Sequence, residues 1–260
     1  MDLKTVELLE HEYLKMFYFN LSSNIKDIVK GLDSKLKILD DWKGRYGGVT
    51  GEISVFDRGA ERVIYSFLNT YSQSSLVPNS APVGSDLFFE SEDAFIHIDL
   101  KTVTASLNKG EGNINDFKNI FIGNNQNSYS SKIISNRDIQ RDYIAELPPV
   151  YKMQNGEEKI CLTYFITLLF DKDTFETLII TIQCVPNGLL YPQYKNRVIQ
   201  AGKNPGKARF RVTDTSGIKG VNKFELLPNS PSRVKVIYFD EEMDTYYQKK
   251  LEFYKNLYIN

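Results

Sequence analysis

Apolar positions at Val6, Leu9, Tyr13, Leu14 and Phe17 recur at helical spacing and predict a helix over Leu3 to Tyr18. Ser22-Ser23 would cap a second helix bearing Ile25, Ile28, Val29 and Leu32, and Leu36 to Trp42 repeats the pattern. Gly47 to Gly51 reads as a connection, followed by a helix from Val55 to Tyr71 with Ala60, Val63, Ile64, Phe67 and Leu68 on its apolar side. Gln73 to Gly84, rich in Ser, Pro and Asn, predicts a loop. The period then changes to two. Leu87 to Phe89 and Ala94 to Leu100 read as the strands of a hairpin around the acidic turn Glu90 to Asp93. Lys159 to Phe170 and Thr177 to Val185 are almost continuously apolar, as strands buried on both faces are, and Asp171 to Asp173 suits the turn between them. Val234 to Phe239 predicts another strand and Glu241 to Tyr258 a final amphipathic helix. Helices first, a polar hairpin, then central strands: the pattern gives a mixed α/β fold with a central sheet flanked by helices, in one domain over 1–260. Helices within 1–45 are candidates for a dimer face.

The hairpin concentrates the chemistry. Side chains alternate along a strand, so Asp99 and Lys101 share one side while Ile98 and Leu100 point to the core. Asp86, at the start of the partner strand, lies beside them. Two adjacent carboxylates cannot both ionise cheaply unless a cation joins them. Oxygen ligands of this kind suit Mg²⁺, and a neighbouring lysine can orient a water or stabilise phosphate charge. The plainer alternative is a solvated hairpin whose Asp99–Lys101 pair is worth under about 1 kcal/mol.

Asp86, a dozen or so residues, then Asp99-Leu100-Lys101 resembles the PD-(D/E)XK nuclease motif, with Pro82 displaced from its usual place beside the aspartate. Ile98 to Thr102 is similar to the second half of that motif in type II restriction endonucleases of the EcoRV-like, blunt-cutting branch. The resemblance implies Mg²⁺ held by Asp86 and Asp99, with Lys101 assisting the attacking water. It implies a homodimer on double-stranded DNA, cutting a palindromic site, and a cognate methyltransferase. Glu61, about 25 residues upstream of Asp86, is the candidate for a further acid on the preceding helix, or a surface partner of Arg58 or Arg62. A nicking or repair nuclease of the same superfamily and a non-catalytic DNA-binding protein are the alternatives.

Composition changes this picture little. Lys and Arg number 32 against 33 Asp and Glu, so a DNA-binding surface must be local. Thr102, Thr104, Asn108 and Lys109 follow the motif in a loop-like stretch, and Asn124, Asn125, Gln126 and Asn127 form a denser amide cluster. Amides can read adenine, and threonines reach bases and phosphates. Lys207, Arg209 and Arg211, interleaved with Ala208 and Phe210, could follow a phosphate backbone, and Asp214 to Gly220 is a further candidate contact loop. Cys161 and Cys184 read as buried thiols in a reducing cytoplasm. No apolar run reaches membrane-spanning length, and no Walker loop, dinucleotide fingerprint or nucleophile elbow is present.

Overall fold

The computed structural model describes residues 2–34, 52–72, 76–80, 84–107, 112–135, 139–202, 204–212 and 232–259. Asn108, Lys109, the predicted helix after Leu36, the Gly47 to Gly51 connection and the Asp214 to Gly220 loop fall outside them, wholly or in large part.

The main sheet has seven strands. Strand β1 (Val77–Pro78) pairs with β2 (Leu87–Glu90), and β2 runs antiparallel to β3 (Ala94–Ala105). β3 then lies parallel to β8 (Glu158–Asp171) along its whole length, from Ala94 opposite Ile160 to Ala105 opposite Asp171. β9 (Thr177–Val185) and β12 (Val234–Phe239) continue the sheet antiparallel, and β7 (Val150–Lys152) pairs with the start of β8. β8 and β9 are so apolar because their residues are buried on both faces, Lys159 and Thr163 included. A second sheet of three strands joins β4 (Asn119–Gly123), β10 (Ile199–Ala201) and β11 (Lys207–Arg211). β5 (Ser131–Ser135) and β6 (Ile139–Tyr143) make a separate hairpin.

Helix α1 (Leu3–Ser23) packs Val6, Leu14, Phe17 and Leu21 into the core, and its Phe17 ring meets Tyr164 of β8 at 5.3 Å. α2 (Ile25–Leu32) and α3 (Glu52–Ser72) lie beside it, with Ile28, Ala60, Ile64 and Leu68 buried. α4 (Gly112–Lys118) contributes Ile114 and Phe117. Short α5 (Tyr191–Tyr194) follows β9, and α6 (Thr245–Lys250) and α7 (Glu252–Ile259) end the chain.

Four expectations change. α1 runs on through Ser22-Ser23, whose Ser22 hydroxyl donates back to Tyr18, so Asn24 rather than a serine stands at the start of α2. Part of the loop before Gly84 is the edge strand β1. The single final helix is two, divided at Leu251. The strand carrying Asp99 does not dissolve after Lys101: Thr102 to Thr104 complete β3 because each finds a parallel partner on β8, from Leu168 to Phe170. β-branched threonine and valine fit that pleated surface.

Candidate active site

Asp86 immediately precedes β2, and the register of the β2–β3 ladder sets Leu87 opposite Ile98. Asp86 is thereby brought to the middle of β3, where its Oδ2 accepts the Leu100 amide at 3.1 Å. The same oxygen accepts the Tyr65 hydroxyl of α3 at 3.0 Å. Asp99 is 2% exposed, so the expected polar edge is in fact an interior position. Its Oδ1 forms an ion pair with the Lys101 ammonium, and its Oδ2 accepts from Gln126 Nε2. Lys101 extends over the Phe165 ring at 5.5 Å and keeps its side chain 32% exposed. The sequence expectation of two carboxylates and an ammonium in one place matches this geometry.

Burial pushes the Asp99 carboxyl up to about 6, with the Lys101 charge opposing and the charges of Asp86 and Glu61 adding to the rise. Burial and the adjacent Asp86 raise the Tyr65 hydroxyl, so it stays a donor. His97, on the same side of β3 as Asp99, is fully buried and burial lowers it to about 3. It sits among Phe88, Phe95 and Tyr151 as an uncharged core residue.

The donor set fits a divalent cation of the magnesium type. Two carboxylates with orienting partners converge, and Asp99 Oδ1 is buried with no hydrogen-bond donor of good geometry beyond its ion pair. Mg²⁺ is held by one or two carboxylates plus waters and substrate oxygens, not by an all-protein cage. Among the described residues, no group of three or more His, Cys, Asp or Glu could hold a metal. Glu61, half-buried on α3, is near enough for its charge to act on Asp99 and Tyr65.

A cavity of about 320 Å³ opens beside Lys101, lined among others by Thr102, Thr104, Asp116, Phe121 and Thr167. Arg209 of the basic strand β11 lies at 4.4 Å on the ring of Phe121, which lines this cavity. Lys207, Arg209 and Arg211 alternate with buried Ala208 and Phe210 and therefore share a face. Arg211 is braced there by Gln200 Oε1, which accepts from its Nε at 3.0 Å and its Nη2 at 2.6 Å.

The amide cluster divides. Asn125 is exposed, and Asn124 donates to Glu146 at 2.5 Å. Asn127, by contrast, is fully buried: it donates to the Gly123 carbonyl and the Tyr143 hydroxyl and accepts from the Tyr129 amide. Its amide is spent inside the protein, which corrects its assignment to a DNA-contacting loop. Gln126 likewise turns inward to Asp99. An amide carries two donors and an acceptor, and once saturated it buries readily; composition alone cannot show that. Tyr65 was missed, although it stands one helical turn beyond Glu61 on the same face. Tyr65→Phe is expected to slow any metal-dependent hydrolysis at this cluster about tenfold while thermal unfolding stays close to wild type. Single-turnover rates and a melting curve on the same preparation check it, and an unchanged rate would remove Tyr65 from the site.

The sequence and the fold agree with known proteins. Residues 2–174 match the N-terminal domain of the type II restriction enzyme MwoI, and residues 177–239 match the central domain of the same enzyme. No curated protein matches significantly. Among solved structures, the restriction endonuclease BglI bound to its DNA recognition sequence superposes with a TM-score of 0.66 at 16% identity, covering 90% of each chain. Tetrameric SfiI bound to cognate DNA gives a TM-score of 0.65 at 13% identity, over 94% of this chain and 88% of the other. The chain thus has a restriction-endonuclease fold, and it belongs to the MwoI family of type II restriction enzymes, site-specific deoxyribonucleases.

Proposed function

We propose that this type II restriction endonuclease hydrolyses duplex DNA with Mg²⁺ held by Asp86 and Asp99, with Lys101 positioning the attacking water and Glu61 as an auxiliary acid. The observation that carries the reading is the pairing of buried Asp99 with Lys101, with Asp86 oriented beside it and Lys101 on a cavity whose Phe121 carries Arg209 of the basic strand. Bound Mg²⁺ supplies charge for the phosphate oxygens and makes a water easier to deprotonate. Lys101 donates to that water and fixes its line of approach to phosphorus. The water oxygen bonds to phosphorus as the bond from phosphorus to the 3′ oxygen breaks; the water gives a proton to solvent and the 3′ oxygen takes one from solvent, leaving a 5′-phosphate and a 3′-hydroxyl. Tyr65 and the Leu100 amide hold one oxygen of Asp86 and leave the other for the cation.

Lys207, Arg209 and Arg211 follow the DNA backbone or reach guanine, Thr102 and Thr104 line the entrance, and Asn124 and Asn125 form an outer contact. This local cluster gives a chain of net charge −1 a surface for a polyanion. One catalytic domain spans the chain, a reading supported by the continuous β8–β9 ladder between the two matched regions. Two copies act together, one per strand, with the N-terminal helices in the dimer face, and a cognate methyltransferase protects the same site in the cytoplasm. Membership of the EcoRV-like branch belongs to the same proposal. Among the described residues, no helix is long and apolar enough to cross a membrane. Digest ends give the test: fragments should join with ligase without prior phosphorylation. Fragments that join only after kinase treatment would contradict the direction of bond breakage.

A further inference from the structure

Gln126 stands where three segments meet. Its Nε2 donates to Asp99 Oδ2 on β3 and, at 2.9 Å, to the carbonyl of Gly84, two residues before Asp86. Its Oε1 accepts the Gly123 amide at 2.8 Å, closing the turn that ends β4. That turn is joined in its own backbone to both sides. The Gly84 amide donates to the Asn125 carbonyl at 3.2 Å, and the Asn124 amide donates to the Gly206 carbonyl at 2.9 Å, next to Lys207. Gly123 and Lys207 are also direct partners in the β4–β11 ladder. One side-chain nitrogen therefore touches Asp99 and the segment carrying Asp86, while its backbone belongs to the unit that bears the basic strand.

We propose that Gln126 is a positioning residue: it fixes the Asp99 carboxylate for metal binding and couples it to the turn alongside β11. The inference rests on the active-site reading above. The physical need is specific. The terminal torsion of an aspartate is broad, and the Lys101 ammonium at Oδ1 is a strong attraction for the carboxylate. Gln126 holds the other oxygen in place and so prevents the group from rotating to give both oxygens to the lysine. Gly84 and Gly123 make room for the side chain of the neighbouring Asn125: a Cβ at Gly84 would lie 2.4 Å from its amide, and one at Gly123 would lie 2.8 Å from its Oδ1. A residue that only closed the turn would need the Gly123 bond and nothing else.

Gln126→Met keeps the length of the side chain and removes the donor. Mn²⁺ binding to the full-length protein, followed by electron paramagnetic resonance, should weaken about 10- to 100-fold. The Mg²⁺ concentration for half-maximal cleavage should rise in parallel, while KM for DNA stays within about threefold. Wild-type Mn²⁺ affinity in the folded variant overturns the proposal. Gln126→Asn, which retains an amide too short to reach Asp99, decides the matter if the methionine variant does not fold; the same loss is expected, and unchanged affinity again overturns it. Asp99→Ala measured in parallel separates the two claims. If it retains Mn²⁺ affinity and cleavage, the active-site reading fails and takes this inference with it. If it loses both while the Gln126 variants keep both, only the role of Gln126 fails.

Discussion

Asp99→Ala should lose DNA cleavage by at least about a thousandfold and yet melt no lower than the wild type at pH 8 in the absence of divalent metal. Both halves follow from the burial of this carboxylate. With its folded value raised to about 6 from an ordinary 3.8, Asp99 holds its proton more tightly in the folded chain than in the unfolded one. Its contribution to stability is therefore complete below about pH 4 and is lost as pH rises through about 6. At pH 8 the ionised group costs up to roughly 3 kcal/mol, offset when a cation binds. Alanine removes that cost together with the proposed metal ligand. The bonds lost are modest, because the Lys101 side chain reaches solvent and Gln126 keeps its Gly84 partner. Melting curves from pH 4 to 8 in EDTA should show a fall in wild-type stability over that window that is reduced in the variant. A variant that melts several degrees lower at pH 8 would mean that Asp99 serves the fold.

The second large effect concerns a buried ion pair outside this site. Arg233→Met should cost about 3–5 kcal/mol, because it strands Glu10 in the core. Glu10 is 1% exposed and Arg233 2%. Arg233 Nη2 donates to Glu10 Oε2 at 2.5 Å, and its Nε donates to the Tyr194 hydroxyl at 2.8 Å. The other Glu10 oxygen accepts the Asn187 amide at 2.6 Å. The pair thus ties α1 to the start of β12 and to the turn after β9. Replacing both partners with methionine removes both charges at once and should recover most of the loss, leaving the Asn187 amide as the residual cost of about 1–3 kcal/mol. Urea denaturation of the single and double variants measures this; a single variant within about 1 kcal/mol of wild type would show that the pair is solvated.

What was legible in the sequence is what periodicity encodes. The long apolar runs of β8 and β9 and the helical stripes of α1 and α3 were visible because burial selects residue type at each position. Asp86, Asp99 and Lys101 were visible as a motif because a hairpin fixes their separation. Pairings between distant segments were not. The parallel partner that extends β3 through Thr102 to Thr104 lies on β8, and Glu10 finds Arg233 across most of the chain. Polar residues turned inward also escaped: Asn127, Gln126 and Tyr65 each owe their place to partners that only the tertiary fold supplies. A run of amides reads as a solvent-facing loop until those partners are known.

Under the proposed function, the cluster at Asp86, Asp99 and Lys101 performs site-specific hydrolysis. The most direct measurement is digestion of a long duplex DNA with Mg²⁺ by the wild type, Asp99→Ala and Lys101→Ala at equal concentration. Discrete fragments from the wild type alone, with both variants still folded, are the predicted result. Equal cleavage by either variant would place the chemistry elsewhere in the protein.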